Sequence, residues 1–194
     1  QQAASSAFGF APSRTMGIAQ RLYESGLITY MRTDSTTLAE SAVGAIGTLI
    51  KRKYGERYLT LRRYRTKSKS AQEAHEAIRP TDVSRERAGA TEEQKKLYDL
   101  IWRRAVASQM ASATVLRTKI TANVADRSIP DFTALGSRTM FDGWLAADPR
   151  ARGEDVGLPQ TALGEGLTLG KLWSEEKETE PPPRYSEAGL VKEL

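Results

Sequence analysis

Apolar positions recur at helical spacing in three stretches of the first 110 or so residues and then switch to alternation. Residues 13–25 place Met16, Ala19, Leu22 and Tyr23 on one face, with Ser13 or Thr15 as N-cap and Gly26 beyond the end, which predicts a short amphipathic helix. LITYMR, residues 27–32, is β-branched and aromatic and too short for another helix, so it reads as a strand leaving the helix-turn. Thr37 with Glu40 forms a capping-box pattern ahead of a stripe of Leu38, Ala42, Val43, Ile46 and Ile50 that runs toward Gly55. Residues 56–74 are polar and aperiodic. AHEAIRPTD, residues 74–82, reads as loop or short strand, because Pro80 disfavours a helical Arg79. A second capping box, Thr91 and Gln94, precedes the broad apolar face of Leu97, Tyr98, Ile101, Trp102 and Ala105.

After Ala113 the period falls to two: Leu116, Thr118, Ile120, Ala122 and Val124 alternate with more polar residues and predict a half-buried strand. Phe132 to Leu135, Arg138 to Leu145 and Leu167 to Trp173 look like further short strands, with 149–166 a loop between them. WSEEKETEPPPRY, residues 173–185, is an acidic, proline-rich connector, and Ser186 caps a closing helix. The fold class expected is α+β: helical to residue 112, antiparallel strands over 113–180, and the first turns of another helix over 181–194. No internal repeat is present.

Composition narrows the chemistry. Zero Cys excludes disulfides, thiolate nucleophiles and Cys-ligated metals, and a single His excludes a multi-histidine site, so a metal would need carboxylates. No window approaches the ~18 consecutive apolar residues of a membrane span, and QQAASSAFGF lacks a signal-peptide layout, so no membrane and a cytoplasmic location are expected. The net charge of +5 is unevenly placed: residues 1–70 carry 12 basic and 4 acidic side chains. Lys51, Arg52, Lys53, Arg57, Arg62, Arg63, Arg65, Lys67 and Lys69 face only Glu56 in sequence, which makes nucleic acid the first partner to consider. A solvated helix end and loop has the same appearance.

Tyr30 and Arg32 fall on one side of an extended strand, where a phosphate touching the phenol also meets the guanidinium. A free phenol, with a pKa of ~10, is a poor nucleophile at neutral pH and needs nearby positive charge or a proton acceptor. A packed aromatic with a satisfied hydroxyl is the competing reading of Tyr30. His75 precedes a pre-proline Arg79 in a loop where donors to phosphate oxygens can be held, although Arg79 equally suits an anchor to Glu76 or Asp82. Asp34 and Glu76 are the nearest carboxylates to these residues, and their spacing does not converge on a metal, so no metal ligand is expected in the chain.

AFGFAPSRTMGIAQRLYESGLITYMRTDSTTLAESAV, followed in order by QEAHEAIRPTD, LYDLIWRRAVASQM, FDGWL and EPPPRYSEAGLVKEL, resembles bacterial DNA topoisomerase I, a type IA topoisomerase, along nearly the whole chain. ITYMRTDS resembles the active-site signature of that family; its topoisomerase III and reverse gyrase branches usually have Pro or His where Met31 stands. The resemblance implies that Tyr30 attacks a single-stranded DNA phosphodiester to form a 5′-phosphotyrosine link without ATP. Arg32 would then steady the scissile phosphate and His75 would act as a second donor. Arg79, Thr33, Asp34 and Ser35 match motif positions and are expected near the DNA.

The resemblance further implies that residues 1–112 form a winged-helix-like, catabolite-activator-like tyrosine (gate) domain. Residues 113–180 would be part of the β-rich hinge of the topoisomerase arch, and 181–194 the start of a helix returning to the base. The Toprim domain that binds Mg²⁺ in the full-length enzyme has no counterpart in this sequence, nor do zinc ribbons. The expected partners are single-stranded DNA and the remaining domains of the same enzyme, with the piece itself monomeric, inactive in relaxation alone, and acting at the nucleoid. A noncatalytic winged-helix DNA-binding module is the alternative that the basic excess and helix-turn pattern also fit.

Overall fold

The structure, a computed structural model, describes residues 1–64 and 76–193. It is α+β and separates into two compact units: Gln1–Ser112 with Gly143–Arg152 and Tyr185–Leu194, and Ala113–Asp142 with Gly153–Arg184.

In the first unit, α1 (Gln2–Phe8), α2 (Pro12–Glu24), α3 (Glu40–Lys53), α4 (Glu92–Ser108) and α5 (Glu187–Glu193) are the helices. Proline at the start of α2 fits its first turn, where the missing N–H leaves no bond unmade. The faces read from the sequence meet in one core: Ile18 and Leu22 from α2, Ile46, Leu49 and Ile50 from α3, and Leu97, Tyr98, Trp102 and Val106 from α4. Each such side chain removed from water contributes about 1.5–3 kcal/mol before conformational entropy is charged against it. Two aromatic residues of α4 also hold the loop before it. The Tyr98 hydroxyl donates to the Arg85 carbonyl oxygen at 2.6 Å and the Trp102 indole N–H to that of Val83 at 2.7 Å.

Residues 143–152, expected within the β-rich stretch 113–180, pack with the first unit. The Trp144 N–H donates to the Ala111 carbonyl oxygen at 2.9 Å, and Arg103 on α4 pairs with both Asp99 and Asp148. In the second unit, β1 (Thr114–Ala122) and β2 (Phe132–Phe141) form an antiparallel pair with Arg117 opposite Ser137 and an irregularity between Thr114 and Val115. Val156 makes an isolated bridge to Ser137, exchanging backbone hydrogen bonds of 2.8 and 3.0 Å.

Several elements differ from the expectation. Helix α3 starts at Glu40, and the Thr37–Glu40 pair makes no capping box; the Thr37 hydroxyl donates to the Tyr64 carbonyl oxygen instead, 3.3 Å away. The strand expected over 27–32 is a single bridge, Ile28 to Pro80. The two strands expected over 132–135 and 138–145 are one strand that ends at Phe141, after which Gly143–Ala146 turns as a 3₁₀ helix. Leu167 to Trp173 is not a strand. Helix α1 carried no clear apolar period and is an addition to the sequence reading.

Candidate active site

Helix α2 delivers the chain to Tyr30 through a left-handed Gly26, φ 69°, which lets the Gly26 and Leu27 N–H groups return to the carbonyl oxygens of Tyr23 and Leu22 at 2.8 and 2.9 Å. Next, residues 27–29 lie against 79–81. The Thr81 N–H donates to the Leu27 carbonyl oxygen at 3.1 Å, and the Thr29 N–H to that of Arg79 at 2.9 Å. Ile28 and Met31 are core residues, 1% and 3% exposed, whereas Tyr30 is 43% exposed and Arg32 is also exposed. Buried Met31 therefore separates two outward side chains, Tyr30 and Arg32, as alternation requires at these three positions. The Tyr23 ring meets the Tyr30 ring edge-on, with centroids 5.3 Å apart at 69°. That neighbour had no sequence signal beyond lying seven positions earlier.

The stretch after Arg32 is shaped by its own hydroxyls. The Thr33 hydroxyl oxygen accepts the Ser35 N–H at 3.0 Å, and the Ser35 hydroxyl oxygen accepts the Thr37 N–H at 3.2 Å. Asp34 is exposed. Met31 and Thr33 line a groove of about 460 Å³ together with Ile78, Leu97, Ile101 and Arg104, which brings one more guanidinium to this segment.

Of the two anchors open to Arg79, the structure selects Glu76: Nε and Nη2 donate to the two carboxylate oxygens at 2.6 and 3.0 Å, while Nη1 donates to the Pro80 carbonyl oxygen at 2.9 Å. Both side chains are mostly buried. Glu76 also accepts the Ala39 N–H at 2.8 Å, so it serves the start of α3 from a distant place in the sequence. Partial burial pushes the Glu76 carboxyl up, but the hydrogen bonds from Arg79 and from Ala39 outweigh it and hold the carboxyl below its ordinary value. Asp82 is occupied instead by the Ser84 N–H and hydroxyl, at 2.9 and 2.6 Å.

His75, and Arg65, Lys67 and Lys69 of the basic cluster, lie outside the described residues. Much of the rest of that cluster is neutralised, Lys53 by Glu86 at 2.5 Å and Arg63 by Glu40 at 2.8 Å from remote positions, and Lys51 by Glu56 at 2.8 Å within the run. Arg62 turns inward to the carbonyl oxygens of Ser108 and Met110. Arg32 and Arg52 are exposed and have no ion-pair partner among the described residues. Among the described residues no three His, Cys, Asp or Glu side chains group to hold a metal ion, and no helix is long and apolar enough to cross a membrane.

A family model described as DNA topoisomerase matches residues 1–194. The chain is 46% identical over 200 residues to DNA topoisomerase 1 of Pseudomonas aeruginosa and 47% identical over 209 residues to that of Streptomyces coelicolor. All of the chain is covered in both matches, and it spans only 23% and 22% of those proteins. The solved structure of full-length topoisomerase I from Thermotoga maritima matches with a TM-score of 0.76 at 34% identity, over 100% of this chain and 32% of that one.

Proposed function

Because the chain belongs to the bacterial type IA DNA topoisomerase family, we propose that it is the part that carries the nucleophile, with Tyr30 breaking and rejoining one DNA strand. In this reading the Tyr30 phenolic oxygen attacks a phosphodiester of single-stranded DNA. The new bond joins that oxygen to phosphorus, the bond from phosphorus to the 3′-oxygen breaks, and the phenol's proton is balanced by protonation of the leaving 3′-hydroxyl. The energy of the phosphodiester is kept in the 5′-phosphotyrosine, so rejoining by the 3′-hydroxyl needs no ATP. The full-length enzyme would relax negative supercoils this way.

The observation that carries the reading is the exposed Tyr30 beside the exposed Arg32, on a segment pinned by buried Ile28 and Met31. A guanidinium two residues from the nucleophile suits a reaction whose catalysis is positioning plus charge stabilisation. His75 is the proposed second donor, Thr33, Asp34 and Ser35 are proposed to border the DNA, and Arg79, held by Glu76, is proposed to support that segment rather than to bind DNA. The first unit is read as the winged-helix-like gate domain and the second as part of the arch hinge, with the closing helix leading back to the base. Mg²⁺ is assigned to a Toprim domain outside this chain. With half of the site elsewhere, the chain alone binds DNA weakly, as a monomer, and does not relax plasmid. Its place of action would be nucleoid DNA in the cytoplasm.

The test mixes the complementing Toprim-containing part with this chain, Mg²⁺ and single-stranded DNA labelled at either end, using the unaltered chain and Tyr30→Phe. The expected result is an adduct on denaturing gels that carries the 3′-side DNA segment and disappears in the Tyr30→Phe chain. No adduct, with binding intact and the complementing part competent, would favour a noncatalytic DNA-binding module.

A further inference from the structure

The segment that bears Tyr30, Arg32, Thr33, Asp34 and Ser35 is held at both of its ends by the same short stretch, residues 76–79. At the leading end, the Thr29 hydroxyl donates to the Ala77 carbonyl oxygen at 2.8 Å and accepts the Arg79 N–H at 2.9 Å, while the Thr29 N–H donates to the Arg79 carbonyl oxygen at 2.9 Å. At the trailing end, the Ala77 N–H donates to the Thr37 carbonyl oxygen at 2.8 Å, and Glu76 accepts the Ala39 N–H at 2.8 Å. The Glu76–Arg79 fork closes across the stretch itself, so the two grips are one rigid piece.

We infer that Glu76 and Arg79 are positioning residues: their ion pair locks residues 76–79 into a staple that fixes the Tyr30–Thr36 loop in a shape ready for attack on the phosphate. The physical reason is entropic. A loop with both ends free spends most of its time in arrangements where Tyr30 and Arg32 do not face one phosphate, and fixing its ends removes those arrangements before DNA arrives. With three of its five N–H groups given to a carboxylate and a carbonyl oxygen and its side chain mostly buried, Arg79 has little to offer a phosphate, so its contribution runs through Glu76 rather than through direct charge on DNA. This inference rests on the proposed role of Tyr30.

The test uses the full-length enzyme that contains this chain, with Glu76→Ala, Glu76→Gln, Arg79→Ala and the double Glu76→Ala/Arg79→Ala. The single-turnover rate of adduct formation on labelled single-stranded DNA is read beside DNA affinity and its salt dependence, the latter two in a Tyr30→Phe background. Each alanine variant is expected to slow adduct formation by about 10- to 100-fold, the scale of a small misplacement of reacting groups. The double variant should be no slower than either single one, because the two side chains form one lock. Affinity and salt slope should stay as in the parent. Glu76→Gln keeps one oxygen able to accept both the Ala39 N–H and the Arg79 Nε–H, which share Oε1, and loses the acceptor for Nη2, so it should recover part of the rate. The staple is overturned if Glu76→Ala reacts at the parent rate, or if Arg79→Ala weakens binding and flattens the salt slope while Glu76→Ala does not. Should the alanine variants lose their circular-dichroism spectrum, Glu76→Gln and Arg79→Lys decide: slowed adduct formation with unchanged affinity supports the staple, and parent rates in both refute it. An unaltered enzyme that forms no adduct would instead remove the role of Tyr30, a distinguishable failure.

Discussion

Alkaline pH should remove a defined share of the stability of this protein through one buried phenol. Tyr98 is 1% exposed, and burial, reinforced by the nearby Asp82 charge and opposed by Arg85, raises its pKa from 10.0 to about 12. The folded form thus binds the phenolic proton more tightly than the unfolded chain does. The associated stability is complete below pH 10 and is lost as pH rises toward 12, amounting to about 3 kcal/mol for two pH units. Tyr98→Phe has no such proton. At pH 8 the variant gives up the hydroxyl's bond to the Arg85 carbonyl oxygen, which costs about 1 kcal/mol. The two stability curves should therefore cross between roughly pH 10 and 11, with the variant ahead by about 1 kcal/mol near pH 12. Urea unfolding of both proteins, followed by far-ultraviolet circular dichroism at steps from pH 8 to 11.5, measures the difference directly, since every other titrating group is common to both. A difference that stays constant over that range would refute the reasoning, because the phenol would then titrate alike in folded and unfolded chains. The stake reaches the candidate site: Tyr98 and Trp102 clamp residues 82–85, the direct continuation of the stretch that grips Tyr30.

Other expectations can be checked alongside. Gly143→Ala should lower stability by more than about 2 kcal/mol, since its φ is +50° and a Cβ would sit 2.5 Å from the Ala111 carbonyl oxygen; an unchanged thermal midpoint would contradict the turn. Met31→Ala should cost about 2–5 kcal/mol by emptying a core site, and Met31→Leu under about 1.5, as chemical denaturation would show. Tyr23→Phe should form the DNA adduct at close to the parent rate, whereas Tyr23→Leu, which loses the edge-on ring contact worth about 0.5–1.5 kcal/mol, should be roughly 2- to 12-fold slower in single-turnover assays. Equal rates in the two variants would dismiss the ring contact as a positioning device.

The helices that the apolar period marked most clearly are the ones whose faces meet in the core. The box at Thr91 and Gln94 also holds, since the Thr91 hydroxyl oxygen accepts the Gln94 N–H at 3.2 Å, although the Gln94 amide oxygen takes the Ala90 N–H at 2.7 Å. The same pattern at Thr37 and Glu40 fails for a reason no local rule contains. Glu76 takes the Ala39 N–H, and Glu40 is drawn to Arg63 by two hydrogen bonds. LITYMR has the composition of a strand, yet its pairing partner includes Pro80, which has no N–H to donate, so the ladder stops at one bridge. Gly136 and Ser137 read as a break between strands because composition cannot see that Val156 comes to pair with Ser137. A Cβ at Gly136 would lie 2.7 Å from the Leu158 side chain. The basic run looked almost unopposed because its counter-charges, Glu40 and Glu86, lie outside the run.

By itself the sequence determined the apolar faces of the three main helices, the change of period after Ala113, and the placement of Tyr30 and Arg32 on one side of an extended segment. Each of these is a property of neighbours along one segment, where backbone geometry converts spacing directly into direction. Only the tertiary structure decided which carboxylate Arg79 serves, that Tyr23 faces Tyr30, and that residues 76–79 close both ends of the loop bearing Tyr30. Those outcomes depend on pairings between residues as many as 50 positions apart. Such pairings are selected by the packing of the whole core, because an ion pair or a hydrogen bond has the same local chemistry wherever its partner stands, and only the folded chain says which partner arrives.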